Sequence, residues 1–184
     1  HEFAGDIGKV GKKRQNEFAP GERFAQQPAL NYKGSLASPG YSYEFFGGAC
    51  TYCIIPPEVM ELGALMHYAG ESYYDVSLAE PMSCIIGGYN ALYHTNKHNY
   101  QHTMGPKECG SVLILGGAGP RGLGAVEYPL ALDRKPARIV VTDVDPGRLA
   151  RAAELIPPER ARQSGVDVHF VNPRDHADQY AYLL

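Results

Sequence analysis

The run Gly117-Ala118-Gly119-Pro120-Arg121-Gly122 sets three glycines at GxGxxG spacing, and Asp143 follows Gly122 by 21 positions. Glycines so spaced serve three mechanical ends: one permits a tight turn, the second lets backbone approach a diphosphate, and the third lets a helix pack close against a strand. The chemistry is capture of an anion by backbone N–H groups at a helix start, where the macrodipole favours negative charge. Asp143 then suits hydrogen bonding to ribose hydroxyls and would repel a 2′-phosphate, which favours NAD over NADP. Two alternatives stay open: Asp143 capping a turn together with Asp145, and Arg121 with Arg148 holding the extra phosphate of NADP.

Such a loop works only between a strand and a helix, and the flanking sequence predicts both. Ser111 to Leu115 is a buried-strand run, and Leu123, Val126 and Leu130 give the next helix an apolar face. Pro129 inside that helix is expected to kink it or end it early. Arg138 to Thr142 reads as the next strand. Asp145-Pro146 is a helix start with an acidic cap and proline at the first position, Leu149, Ala152 and Leu155 are spaced for burial, and Pro157-Pro158 stops the helix. A third strand, Val166 to Val171, precedes a helical pattern from about Arg174 to the terminus. Alternating strands and helices imply a parallel sheet with right-handed crossovers. Three strands make half of a doubly wound sheet, so the chain is expected to stop mid-domain.

The earlier half has another character. It is rich in Gly, Pro, Tyr and Phe, and Glu22-Arg23-Phe24-Ala25 and Thr51-Tyr52-Cys53-Ile54-Ile55 read as short strands of an irregular β-domain. From Ser83 on, Ile85, Ile86, Tyr89, Leu92 and Tyr93 fall on one helical face. The expected division is therefore 1–82 and 83–184.

Bulk properties bound the partners. The chain has 184 residues, 44% of them apolar, and a formal charge of −3 without a basic stripe, which speaks for a small ligand and against nucleic acid. No apolar stretch approaches the ~20 residues that cross a bilayer, and the charged start has no signal-peptide core. Four cysteines, Cys50, Cys53, Cys84 and Cys109, are too few and too uneven for a secreted disulfide framework. A cytoplasmic setting without membrane contact is the expectation.

Three further segments precede the glycines in order: His1-Glu2-Phe3-Ala4-Gly5 with Val10-Gly11 behind it, Pro20-Gly21-Glu22-Arg23-Phe24, and Glu80-Pro81-Met82-Ser83-Cys84. Together with the glycine run, they resemble the medium-chain dehydrogenase/reductase superfamily, in particular its zinc-dependent, sorbitol dehydrogenase-like alcohol and polyol dehydrogenases. The resemblance covers nearly the whole chain. It implies an α/β fold: a partial GroES-like β-rich catalytic domain followed by the first part of a Rossmann doubly wound parallel sheet. It also implies that His1 is a zinc ligand, that Glu2 is a ligand or its neighbour, and that Glu80 is a direct or water-mediated one, Glu2 and Glu80 serving the catalytic step too. The implied cofactors are NAD, with NADP possible, and Zn2+. The implied reaction is hydride transfer between the nicotinamide and a secondary alcohol or ketone of a polyol or sugar phosphate. A homo-oligomer is implied for the full-length protein. The run from Tyr93 to Gly105 is similar to the L-sorbose-1-phosphate reductase branch.

The sequence departs from that pattern in places. A cysteine ligand normally precedes the His-Glu pair, and the chain begins at His1. The structural-zinc lobe of many relatives needs four close cysteines; only Cys50 and Cys53 occur here, and they read as ordinary strand residues. His94, His98 and His102 read as part of a solvated polar connector. Two rivals remain: a zinc-free, quinone-reductase-like member of the same superfamily, and a dinucleotide-binding module without turnover.

Overall fold

The computed structural model describes residues 2–176 and 178, and the chain divides into two compact units, His1–Pro81 and Met82–Leu184. The first is built on an antiparallel sheet in the order β1 (Ala4–Asp6), β2 (Arg23–Gln26), β3 (Leu65–Tyr68). Phe24 on β2 faces Gly5 and His67, and its ring enters a core with Ile7, Leu30, Phe46, Val59, Ala64 and Leu65. Helix α1 (Pro57–Glu61) starts on a proline, as an N-terminal turn allows, and inserts the fully buried Val59. Gly63, at φ 62°, then turns the chain into β3, a conformation that disfavours residues with a Cβ. Ser72 caps α2 (Tyr73–Ser77) by accepting the Asp75 N–H at 3.1 Å.

The expected strand from Thr51 to Ile55 does not form. Tyr52 and Ile54 are exposed there, no neighbouring strand pairs with the segment, and Pro56-Pro57 follows at once. Apolar composition without a partner edge makes no strand.

The irregular chain before that segment is fastened to α1 by the Tyr43 hydroxyl, which donates to Glu58 Oε1. Burial and then that hydrogen bond push the Tyr43 hydroxyl up to about 12, and the same bond draws the Glu58 carboxyl below its ordinary 4.5. The signs differ. Glu58 contributes stability that is present above 4.5 and lost as pH falls through its depressed value; Tyr43 contributes stability that is complete below its ordinary 10.0 and lost as pH climbs toward 12. The urea midpoint should thus sag at both extremes, and Glu58→Gln should remove this pair's share of the acid-side sag. An unchanged acid limb in that variant would exclude the pair from it.

Helix α3 (Ala79–Ala91) carries the chain across the division. The second unit then has a hairpin of β4 (Tyr93–Thr95) and β5 (His102–Met104), followed by β6 (Ser111–Leu115), α4 (Pro120–Leu130), β7 (Arg138–Thr142), α5 (Pro146–Leu155), α6 (Pro158–Gln163) and β8 (Asp167–Val171). Strands β6, β7 and β8 form a parallel sheet in that order. Ile139 and Val141 of β7 are fully buried, in one cluster with Val126, Leu130, Ile156, Ala161, Val166 and Val168.

Several expectations shift in detail. β6 is an edge strand among the described residues, so Leu113 and Leu115 are exposed where a buried run was expected. Leu155 is also exposed, and Ile156 takes its place in the core. Pro157-Pro158 does stop α5, but Pro158 also opens α6 because its fixed φ suits a first helical position. Of the final helical pattern, a single 3-10 turn, Pro173–Asp175, lies within the described residues.

Pro129 ends α4 early, as its chemistry requires: the helix stops one residue later, at Leu130. Lacking an N–H, Pro129 leaves the Ala125 carbonyl without its helical donor. The Tyr89 hydroxyl of α3 donates to that oxygen at 2.6 Å, and burial pushes Tyr89 up to about 12. Tyr89→Phe keeps the ring and orphans the carbonyl, so it should cost about 1 to 2 kcal/mol and lower Tm by roughly 3 to 6 °C in a thermal melt. Equal melting temperatures would show that solvent serves the carbonyl as well.

Candidate dinucleotide site

β6 ends at Leu115, and the turn that follows belongs to Gly116, whose φ of 64° lies in the left-handed region. The sequence reading placed the turn at the first glycine of the motif, Gly117. Its actual role is close packing: a Cβ there would lie 2.6 Å from Ile114 Cγ2 and 2.8 Å from Val141 Cγ1, and its N–H donates to Thr142 O at 2.8 Å. The Gly-Gly doublet was the available signal for the turn. Gly122 lies directly against the Gly117 backbone, where any Cβ would collide with the Gly117 carbonyl. Helix and strand therefore approach as closely as the third glycine of such a loop is meant to allow.

Gly119 differs from both neighbours. It is the N-cap of α4 with φ −86° and ψ 175°, and a Cβ built there would meet nothing within 4 Å. No side chain caps the helix. An open glycine at an uncapped start of an eleven-residue helix is a fitting cradle for a diphosphate. Gly124, which the sequence reading passed over, lets α4 approach α3: a Cβ there would lie 2.6 Å from Ile85 Cδ1 and 3.2 Å from Met82 Sδ.

Asp143 follows the end of β7 and is 8% exposed. Its carboxylate accepts the Ala118 N–H at 3.3 Å and the Asp145 N–H at 3.1 Å, which ties the glycine loop to the adjacent strand end. Each carboxylate oxygen has a second lone pair, so these bonds leave acceptor capacity for ribose hydroxyls. Asp145 itself caps α5 by accepting the Arg148 N–H at 3.0 Å. Arg148 is exposed, 3.8 Å from Asp145 through its guanidinium, and Arg121 is exposed in the first turn of α4.

The residues of the resemblance's metal centre belong to the first unit. His1 lies outside the described residues. Glu2 is exposed, next to Phe3, whose ring packs against Phe24 and Phe46 at centroid distances of 6.5 and 5.4 Å. Glu80 is half-buried in the first turn of α3. Among the described residues no group of three or more His, Cys, Asp or Glu is assembled to hold a metal ion. Glu2 and Glu80 alone do not make a zinc site. The polar connector that carries His94, His98 and His102 is a hairpin, with His98 and His102 exposed: His94 pairs with Thr103 across the strands, and His102 with Thr95. Their four-residue interval therefore does not stack them on one helical face. No helix among the described residues is long and apolar enough to cross a membrane.

No family model matches the chain. It is 47% identical over 183 residues to mannitol-1-phosphate 5-dehydrogenase of Aliivibrio fischeri, covering all of this chain and 43% of that protein. It is 43% identical over 159 residues to L-sorbose 1-phosphate reductase of Klebsiella pneumoniae, covering 86% of this chain and 39% of that one. Among solved structures, 2R,3R-butanediol dehydrogenase from Bacillus subtilis superposes with a TM-score of 0.64 at 22% identity, over 100% of this chain and 46% of its own. A zinc-binding dehydrogenase from Sinorhizobium meliloti 1021 bound to NADP superposes with a TM-score of 0.62 at 19% identity, over 96% of this chain and 46% of its own. The chain thus spans less than half the length of the curated relatives it matches. The fold is that of a GroES-like unit followed by part of a Rossmann sheet, as the sequence resemblance implies.

Proposed function

We propose that this chain belongs to the medium-chain dehydrogenase/reductase superfamily and carries the dinucleotide-binding loop of an oxidoreductase that moves a hydride between NAD(P) and a secondary alcohol or ketone of a polyol or sugar phosphate. The observation that carries this reading is the glycine loop: closed by packing at Gly117 and Gly122, open at Gly119, and tied to Asp143. The backbone around Gly119 would receive the diphosphate, and Asp143 would hold the adenosine ribose while fixing the Ala118 N–H. A buried carboxylate facing the ribose favours NAD. Arg121 and Arg148 are the residues that would accept a 2′-phosphate, and the NADP in the Sinorhizobium neighbour keeps that cofactor within the reading.

A sugar-phosphate or polyol substrate is supported by the names of the two curated relatives. An assay of a protein containing this chain, with mannitol 1-phosphate or L-sorbose 1-phosphate and either nicotinamide, tests it. Cofactor-linked turnover is the expected result. Tight cofactor binding without turnover on any polyol or sugar phosphate would instead favour the non-catalytic module.

Zinc assistance is the finer part of the proposal. It rests on the ordered motifs at His1-Glu2 and Glu80 and on the zinc-binding neighbour, with His1, Glu2 and Glu80 as donors. Zinc would supply Lewis acidity toward the substrate oxygen. Glu80→Ala should lower the zinc retained after dialysis; equal metal content would remove Glu80 from the set, and absence of zinc from a catalytically active protein would favour the quinone-reductase-like reading. Assembly into a homo-oligomer is part of the same proposal for the full-length protein.

A further inference from the structure

We propose that the loop from 35 to 55 is an interaction surface that pairs with the same loop of a second copy of this chain. This rests on the homo-oligomer reading above and names the face that makes the contact. The loop buries Phe46 and packs Ile55 on the core of its unit, and it leaves four large apolar side chains in solvent: Leu36 is 87% exposed, Phe45 67%, Tyr52 88% and Ile54 86%. Every residue from 48 to 54 is exposed.

The loop is braced without a sheet or a helix. The Ser42 and Tyr43 N–H groups donate to Ser38 O at 3.0 and 2.9 Å, and the Gly40 N–H donates to Phe46 O at 3.0 Å. Gly47 passes so close to Gly40 that a Cβ would lie 2.9 Å from its Cα, and the Cys50 thiol donates to Gly47 O at 3.2 Å. The Phe45 ring stands edge-on to Tyr43 at a centroid distance of 5.6 Å, and Tyr43 is bound to Glu58 of α1. A side chain presented from so braced a turn loses little further freedom on association.

The exposed area is what a dimer needs. An aromatic side chain offers about 150 to 250 Å². Phe45 and Tyr52 with Leu36, Ile54 and the small exposed Ala49, Cys50 and Cys53 offer on the order of 800 Å², the share that one partner contributes to a standard interface. That exceeds the roughly 300 to 600 Å² of the largest apolar patch on an ordinary monomer. Glu44 is the one charged residue from 34 to 57, and aromatic enrichment with depletion of charge marks the core of an interface. A strongly charged partner would find little there to read. A face of this kind matches itself: a twofold axis sets apolar area against apolar area, and Lys33 and Glu44 supply opposite charges.

The test uses a protein containing this chain, treated at micromolar concentration with a short bis-maleimide. Cys50 and Cys53 are exposed in the loop and serve as reporters, and a peptide linked to a second copy of itself through Cys50 can arise only between two molecules. That link should form. Tyr52→Lys sets two like charges against each other near the axis, so it should abolish the link and halve the mass in sedimentation equilibrium while the circular dichroism stays the same. A monomer before substitution would overturn this face together with the homo-oligomer reading. An oligomer that yields no such link and keeps its mass in Tyr52→Lys would overturn this face alone.

Discussion

Gly119→Val is expected to leave the melting temperature nearly unchanged and to weaken NADH binding by tenfold to a hundredfold or more. A Cβ at the position meets nothing within 4 Å and its backbone is extended, so a side chain can start there without strain; the N-cap exchange costs about 1 kcal/mol or less. The new methyls would stand where the diphosphate must approach the backbone, and losing even about 1.4 to 2.8 kcal/mol there gives that range of affinity. Gly122→Ala should behave differently. Its Cβ would collide with Gly117 backbone, which cannot rotate away as a flexible side chain could. Overpacking of this kind costs about 1 to 3 kcal/mol and should lower Tm by roughly 3 to 9 °C in addition to impairing binding. Calorimetry with NADH and a thermal melt on both variants separate the roles. Full affinity in Gly119→Val would place the diphosphate elsewhere.

The second large effect is expected at Asp143. Asp143→Ala leaves the Ala118 N–H and the Asp145 N–H without their acceptor at a site that is 8% exposed, and each orphaned donor costs about 1 to 3 kcal/mol if water cannot reach it. Asp143→Asn retains a carbonyl acceptor and removes the charge, so it isolates the ligand effect. NADH affinity should fall about tenfold, and the preference for NADH over NADPH should narrow by a similar factor because the repulsion toward a 2′-phosphate is gone. Paired titrations with NADH and NADPH check this. An unchanged ratio would mean that Asp143 positions the loop and takes no part in choosing the cofactor.

What the sequence disclosed depended on the range of the interaction. The helix start at Asp145-Pro146 was legible because a cap is a local bargain between a side chain and an N–H three residues on. β7 was legible because its apolar run is buried on both faces. The glycine motif was legible as a unit, but its division of labour was not: that Gly116 turns and Gly117 packs depends on Val141, a residue of the next strand. Tyr89 answers Pro129 across 36 positions, and no local pattern announces such a bond. The segment from Thr51 to Ile55 had strand-like composition, and only the absence of a neighbouring edge decided against it. The hairpin at Tyr93–Met104 escaped notice because its turn is polar and its strands are three residues each, too short for alternation to register.

For the candidate site the same division holds. Asp143 and the glycines could be named from spacing, whereas the tie between Ala118 and Asp143 required the strand ends to be adjacent. Glu2 and Glu80 owe their place in the proposal to ordered motifs shared with relatives, and metal analysis is the way to test them.

Amide-resolved NMR of the chain during titration with NADH addresses the central claim most directly. Saturable shifts should be largest for the backbone amides of Gly117, Ala118, Gly119, Arg121 and Gly122, with Asp143 and Asp145 next, and should vanish in Gly119→Val. Binding that leaves those amides unmoved, or shifts spread over surfaces away from the start of α4, would contradict the account.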